Sequence, residues 1–418
     1  MNTAQKTITA IIITAVVLAV GSAWAGDLTP PGAPGSTMHT LDEIHTKAEA
    51  AETAADAAET AAQAAETKAD EAEPRIPIDS GKYTISQPGS YYLTENSSGR
   101  ITIQADNVTL DLMGFRIAVS SGDAIEILNG HGDNTLIRNG TLRPGSGSVA
   151  LDARVADHSR FEDLRIEGNN ALCGIYVDDH CLVLNCDVRG CNDCGISAGD
   201  HTEVRDCRVT GGTLDGIQAG SDCRIVDNTV EGQGDDGLYI TGSGTLIADN
   251  RVKGNTDNYD IAQGNQLNIL LCEVPETIDW PAMVKLAGTL TGESGSSGIE
   301  INADDVTIDL DGHALIGVPG SLEGITVPDS QYNITIRNGV VREWGLHGVH
   351  ARNADNSSLE NLKAFTNGWA IIHQDGLRIG ENGRVSGCQA EGNRDDGIRA
   401  GNSCTITDST AYNNGDSG

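Results

Sequence analysis

From about residue 85 onward, apolar and polar residues alternate in short runs broken by glycine. Gly174-Ile175, Gly195-Ile196, Gly216-Ile217 and Gly237-Leu238 open successive units 21 residues apart, and Gly376-Leu377 and Gly397-Ile398 repeat the spacing later. Inside each unit one residue in two is apolar (Ile175 and Val177; Ile196 and Ala198; Ile217 and Ala219), as a strand with one buried face requires. A fixed period near 20 with period-2 patterning predicts a solenoid of short parallel strands. Leucine-rich repeats have a similar period but need a leucine framework that this chain lacks. The predicted fold is all-β, a right-handed parallel β-helix preceded by a helical segment.

The solenoid is written twice. ITIQADNVTLDLMGF at Ile101 returns as IEINADDVTIDLDGH at Ile299, and Ser159–Arg165 returns as Ser357–Lys363, both 198 residues on. The reading is a first copy over 85–272, a junction over 273–297 and a second copy over 298–418. The copies keep step as far as residues 170 and 368. The second then carries four extra residues around Trp369–Gln374. Insertions in a solenoid fall in loops, often on its working face.

The first 84 residues follow other patterns. Residues 1–25 read as a secretory signal: Lys6, the apolar run Ile8–Val20, and the Ala23-Trp24-Ala25 cleavage site. Residues 26–40 are a Pro/Gly linker. Over 41–73 three heptads start at Ala50, Ala57 and Ala64, which predicts an alanine-seamed helix, either a coiled-coil stalk that pairs copies of the chain or a solitary spacer. This makes the mature protein secreted, with no span across a bilayer.

Stacking in register predicts residue columns: Cys186, Cys207, Asn228 and Asn250, with Cys272 following; Cys181 with Cys223; Cys173 with Cys194. Adjacent coils lie about 4.8 Å apart, within disulfide reach. In-register side chains point the same way, however, and free interior thiols are expected.

With 27 Lys and Arg against 60 Asp and Glu, the net charge is −33, which excludes nucleic acid as a partner held by bulk electrostatics. No nucleophile elbow, phosphate loop or nucleotide fingerprint is present.

The G-I-x strands, the Cys and Asn stacks and the D-G turns resemble the pectate-lyase-type right-handed β-helix superfamily over roughly 85–418. The segment SQPGSYYLT followed by ADNVTLDLMGF is similar to exported bacterial β-helix proteins. The superfamily spans lyases, hydrolases, epimerases, phage tailspikes and non-catalytic surface proteins, so the resemblance implies a fold and leaves function to the site.

The outward residue of G-I-x reads Asp152, Tyr176, Ser197, Gln218, Tyr239 and Asp260 in the first copy. In the second it reads His350, Arg378 and Arg399. A basic strip in so acidic a chain suits an anionic polymer. The resemblance implies a uronate held by cations or calcium, with a base taking the C5 proton. Acids crowd the preceding turn: Asp215 with Asp235 and Asp236, and Asp375 with Asp395 and Asp396. Such trios suit glycoside hydrolysis or calcium, and Asp-Gly is also ordinary turn chemistry.

The order is similar to that of polygalacturonases, but Thr-Leu-Asp and His-Gln-Asp stand where N-T-D is expected, and no G-H-G coil follows. Candidate catalytic residues are therefore Asp375, Arg378, Asp395, Asp396, Arg399 and His350. Trp344, Trp369, His373, Tyr176 and Tyr239 are candidate sugar contacts. Asp215, Asp235 and Asp236 are calcium candidates, and His347, His350 and His373 form a possible transition-metal set.

The expected function is binding, and cleavage as lyase or hydrolase, of an acidic polysaccharide. The alternative is a non-catalytic adhesive solenoid on a helical stalk. A trimeric tailspike-like depolymerase shares features of both, but the signal peptide weighs against it. The last coil ends in phase at Ser417. An uncapped solenoid end is an open pairing edge, which predicts further chain beyond Gly418 or a covering partner.

Overall fold

The computed structural model describes residues 75–416, apart from 129 and 372. The signal peptide, the linker and the heptad segment lie outside the described residues. Within them the chain winds as a right-handed parallel β-solenoid of about 15 turns, and no helix is present.

Each coil is turned by residues able to adopt left-handed backbone, which costs Asn, Asp, His and Gly less than branched residues. One column of positive-φ residues runs Asn107, Asn134, His158, His180, His201 and Asp222. A second runs Asn139, Asp163, Asn185, Asp206, Asp227 and Asp249. Between the turns the strands stack parallel and in register, as when Ile175 pairs with Ile196, Ile196 with Ile217, and Ile217 with Leu238. All four side chains are fully buried. Burying one such side chain contributes about 1.5–3 kcal/mol, so the core is a continuous column of aliphatic residues.

Polar columns accompany it. Asn228 Oδ1 accepts the Cys207 backbone N–H at 2.9 Å, and Asn250 Oδ1 accepts that of Asn228 at 2.9 Å. A register shift between Ala248 and Arg251 takes Cys272 out of this column, which corrects the sequence expectation. A second correction concerns Cys173 and Cys194. They form a disulfide between adjacent coils, with Cα atoms 4.8 Å apart, because parallel register brings the sulfurs together instead of holding them apart. The other eight cysteines are free.

The stack runs through the junction on one face, where Asn268–Leu271 pairs with Met283–Leu286. On another face a separate six-stranded sheet begins at Glu276–Ile278 and continues through Ile299–Ile301, Ile325–Thr326, Val349–Ala351, Leu377–Ile379 and Ile398–Ala400. This second sheet carries the basic strip.

Candidate functional site

In the second sheet the outward positions read Thr326, His350, Arg378 and Arg399, each paired with the next. The turn before each strand is pinned by interior amides. Asn367 Oδ1 accepts the Trp344 N–H at 3.1 Å, Asn393 Oδ1 that of Asn367 at 3.1 Å, and Asn414 Oδ1 that of Asn393 at 3.0 Å. Asn393 immediately precedes Arg394-Asp395-Asp396, so the ladder sets where this acidic turn begins. The sequence reading missed it, although the N-x-D-D spacing would have revealed it.

Asp375, Asp395 and Asp396 converge, with one oxygen from each lying within 4.8 Å of the others. Asp375 is completely buried. Its Oδ1 accepts the Asp396 N–H at 3.3 Å, whereas its Oδ2 has no hydrogen-bond partner. Arg378 Nη1 and His347 Nδ1 each stand 3.8 Å from that Oδ2. Burial raises the Asp375 carboxyl above its ordinary value, against the pull of Arg378 and Arg399. His347 Nδ1 accepts the Asp375 N–H at 2.7 Å. Burial, then His350 and Arg378, push this imidazole down to about 4, so it is neutral near pH 7. Its ring lies 4.4 Å from that of His350, and His350 Nδ1 is 3.7 Å from Glu323. Burial alone would raise Glu323, but hydrogen bonding to His350 brings its net shift down.

Beside this turn, Arg352, Arg378, Glu381, Arg399 and Asn402 border an open depression of about 330 Å³. Arg399 reaches Asp396 only at 3.8 Å. Arg352 is exposed and makes no ion pair or side-chain hydrogen bond among the described residues. Burial lowers Arg378, partly offset by Asp375, and Arg399 and Arg352 lower it further. Three guanidinium groups thus share one depression without saturated partners. Arg352 escaped the sequence reading because it lies two residues past the strip position.

An analogous Asp-Gly turn in the first copy is closed differently. The Asp236 N–H donates to Asp215 Oδ1 at 3.2 Å, matching Asp396 and Asp375. Here, however, the Gln218 amide donates to Asp215 Oδ2 at 2.9 Å. Gln218 follows Asp215 at the spacing at which Arg378 follows Asp375, while the repeat itself aligns Tyr176 and Ser197 with Arg378 and Arg399. The Asp215 carboxylate is thus tied by internal hydrogen bonds, and among the described residues the three-carboxylate convergence lies in the second copy. The two arginines beside it already supply counter-charge, which disfavours a dication there.

The other candidates are dispersed. Trp344 is 0% exposed and cannot stack on a sugar. Its indole fills space vacated by Gly292, Gly298 and Gly324, where an added Cβ would come within 2.3, 2.9 and 3.0 Å of the ring. Its Nε1–H donates to Leu315 O at 3.2 Å. Asp375 is equally sealed and can act only through its neighbours. Trp369, 45% exposed, stands on the insertion with its Nε1–H anchored on Glu343 O at 3.1 Å. His373, on the same insertion, lies 3.6 Å from Asp395. The insertion therefore meets the acidic turn, as its position in the sequence suggests. One face of Tyr176 is covered by Arg154, 4.9 Å from the ring centre. Tyr239 lies two coils from Ser197, beside Asp260. His347 and His350 contact each other, while His373 faces Asp395, so the three do not form a shared set.

The sequence matches the family model described as "Right handed beta helix region" over residues 84–220 and 124–274. This agrees with the right-handed parallel coils described above. No curated protein matches it. Among solved structures it is similar to the A-module of the Azotobacter vinelandii mannuronan C-5 epimerase AlgE6, at 15% identity, 84% coverage of this chain, 92% of that one and a TM-score of 0.26. The periplasmic alginate epimerase AlgG matches at 9%, 80%, 77% and 0.27. The catalytic domain of a GH87 alpha-1,3-glucanase in complex with tetrasaccharides matches at 14%, 93%, 71% and 0.25. No helix among the described residues is long and apolar enough to cross a membrane.

Proposed function

We propose that this exported protein binds an acidic polysaccharide along the second copy of its solenoid and cleaves it by carboxylate acid–base chemistry. The supporting observation is that Gln218 satisfies Asp215 with a hydrogen bond, whereas Arg378, at the same spacing from Asp375, approaches its buried Oδ2 only to 3.8 Å and leaves it without one. A fold that can close such a turn neutrally but places under-paired arginines at this one is arranged for an anion. Arg352, Arg378 and Arg399 present forked donors that match sugar carboxylates or sulfates. Asp396 is the more accessible acid beside them and, with the largely buried Asp395, makes the catalytic pair for glycoside hydrolysis. Asp375 and His347 are positioning residues, since both are buried and hold the turn through backbone hydrogen bonds. Trp369 offers the stacking face.

A second reading, elimination, is favoured by one contact pattern. His350 is in register with Arg378, so a base adjoins the group that would neutralise the uronate carboxylate and acidify its C5–H. Incubation with pectate, alginate, a sulfated glycan and a neutral glucan separates the two. New reducing ends without unsaturation support hydrolysis, and unsaturated ends support elimination. Binding without either product, in wild type as in D396N, leaves the non-catalytic adhesive solenoid.

A further inference from the structure

Three histidines follow one another in a turn column of the first copy. His158, His180 and His201 stack on successive coils, with neighbouring ring centres 4.8 Å apart and ring planes 5° from parallel. All three are exposed. None of their ring nitrogens makes a hydrogen bond among the described residues, and their one polar approach is His201 Nε2 to Asp222 Oδ2 at 3.6 Å. Asp222 is the next residue of the same column. The left-handed turn does not itself call for histidine. At the matching places the second copy has Asn356, Asn382 and Ser403. These adopt φ of 51°, 52° and 59°, against 53°, 55° and 56° for His158, His180 and His201. The imidazoles are therefore surplus to the fold. Asp157, Asp178, Asp179 and Asp200 precede them in the same turns, and such a field favours a cation. Asp179 and Asp200 are held in place, each Oδ1 accepting a backbone N–H of the next coil at 2.7 Å.

We infer that this histidine ladder is a binding site for a divalent transition-metal ion, held by His180 and His201 with the Asp222 carboxylate beside them. Imidazole suits copper, nickel and zinc, whereas calcium and magnesium take oxygen shells. Metal–nitrogen bonds of about 2.0–2.1 Å require the two nitrogens to come about 3 Å apart. The rings must therefore pivot toward each other, which exposed side chains do on the picosecond-to-nanosecond scale. The His201 side chain is 52% exposed and Asp222 is already close to its Nε2. Three protein ligands leave a coordination position open for water or for a donor from another molecule. The ladder lies in the first copy, apart from the arginine depression, and its test does not depend on any sugar.

Isothermal titration of the full chain with copper(II) and nickel(II) tests this. Wild type is expected to bind both, copper the more tightly, and a large excess of calcium should not displace either. H180N/H201S installs the residues that the second copy carries at these turns, so its melt should match that of wild type. It should weaken the tightest copper binding by about tenfold or more, at least what removing a metal ligand's own support costs. D222N keeps every imidazole and should weaken copper binding by a smaller factor. H373N, on the insertion of the second copy, should leave it unchanged. Absence of copper binding in wild type overturns the inference, as does displacement by calcium. So does unchanged copper affinity in either H180N/H201S or D222N, or a loss in H373N as large as in H180N/H201S.

Discussion

Arg378 and Arg399 occupy the same position on successive coils, and each meets its paired carboxylate only at 3.8 Å. Two like charges one strand spacing apart repel unless an anion lies between them. Arg352 completes the set and has no partner to lose. R352A should therefore leave the thermal midpoint unchanged. It should weaken binding to a uronate oligosaccharide about tenfold, the loss of one charge-assisted hydrogen bond. Isothermal titration at two salt concentrations checks this, and a weaker salt dependence in the variant is expected.

Asp396 and Trp369 separate chemistry from grip. D396N is expected to reduce turnover about a hundredfold or more, the scale of general acid–base catalysis, while the oligosaccharide dissociation constant stays within a few-fold. W369A is expected to do the reverse, raising KM with kcat little changed. Steady-state kinetics on the polymer that yields product decides both.

Trp344 and Trp369 are 25 residues apart in sequence and opposite in role. Trp344→Ala should destabilise the fold by about 3–5 kcal/mol, as large core truncations do, because Gly292, Gly298 and Gly324 cannot fill the space. Trp369→Ala should be near neutral in the same denaturant titration. Equal losses would contradict the buried placement of Trp344.

Stability should also depend on pH through the first copy. Burial, then Asp215, Asp235, Asp260 and Asp257, push the Asp236 carboxyl from 3.8 to about 6. The folded state then binds more protons than the unfolded chain between those values, so this group's contribution falls as pH rises from about 4 to about 6. D236N removes that fall and should stabilise the protein at pH 7 by the order of 1 kcal/mol. The gain should vanish below about pH 4. Thermal melts across this range measure it, and a gain that persists in acid contradicts the assignment.

Thiol counting tests the coil register. Eight of the ten cysteines should react after denaturation without reductant, and all ten after reduction. Ten in both conditions would mean that Cys173 and Cys194 are unbridged.

Much of this architecture was legible in the chain, because a solenoid repeats one local rule. The 21-residue spacing of Gly-Ile placed Tyr176, Ser197, Gln218 and Tyr239 in one strip, and the structure pairs them in that order. Gly376-Leu377 placed Arg378 over Arg399 in the same way. What period alone could not give was depth. Trp344 and Trp369 both neighbour the second-copy turn, and only the glycines of adjacent coils show that the first is swallowed. Asp375 reads like Asp396, yet the coil above seals it. The disulfide escaped because the direction of a side chain says little about whether two sulfurs at one coil spacing can meet. Arg352 escaped because it lies off the repeat, past a strand end.

The central claim is that the under-paired arginine strip, which stands where the first copy has Tyr176 and Ser197, makes the second copy the anion-facing one. Mobility through gels containing pectate, alginate or a neutral glucan tests it most directly, comparing wild type with R378Q/R399Q. The account predicts that acidic polymers retard wild type and the neutral glucan does not. The double variant should run as though no polymer were present while melting no lower than wild type. Equal retardation of the two proteins, or retardation of wild type by the neutral glucan alone, would contradict it.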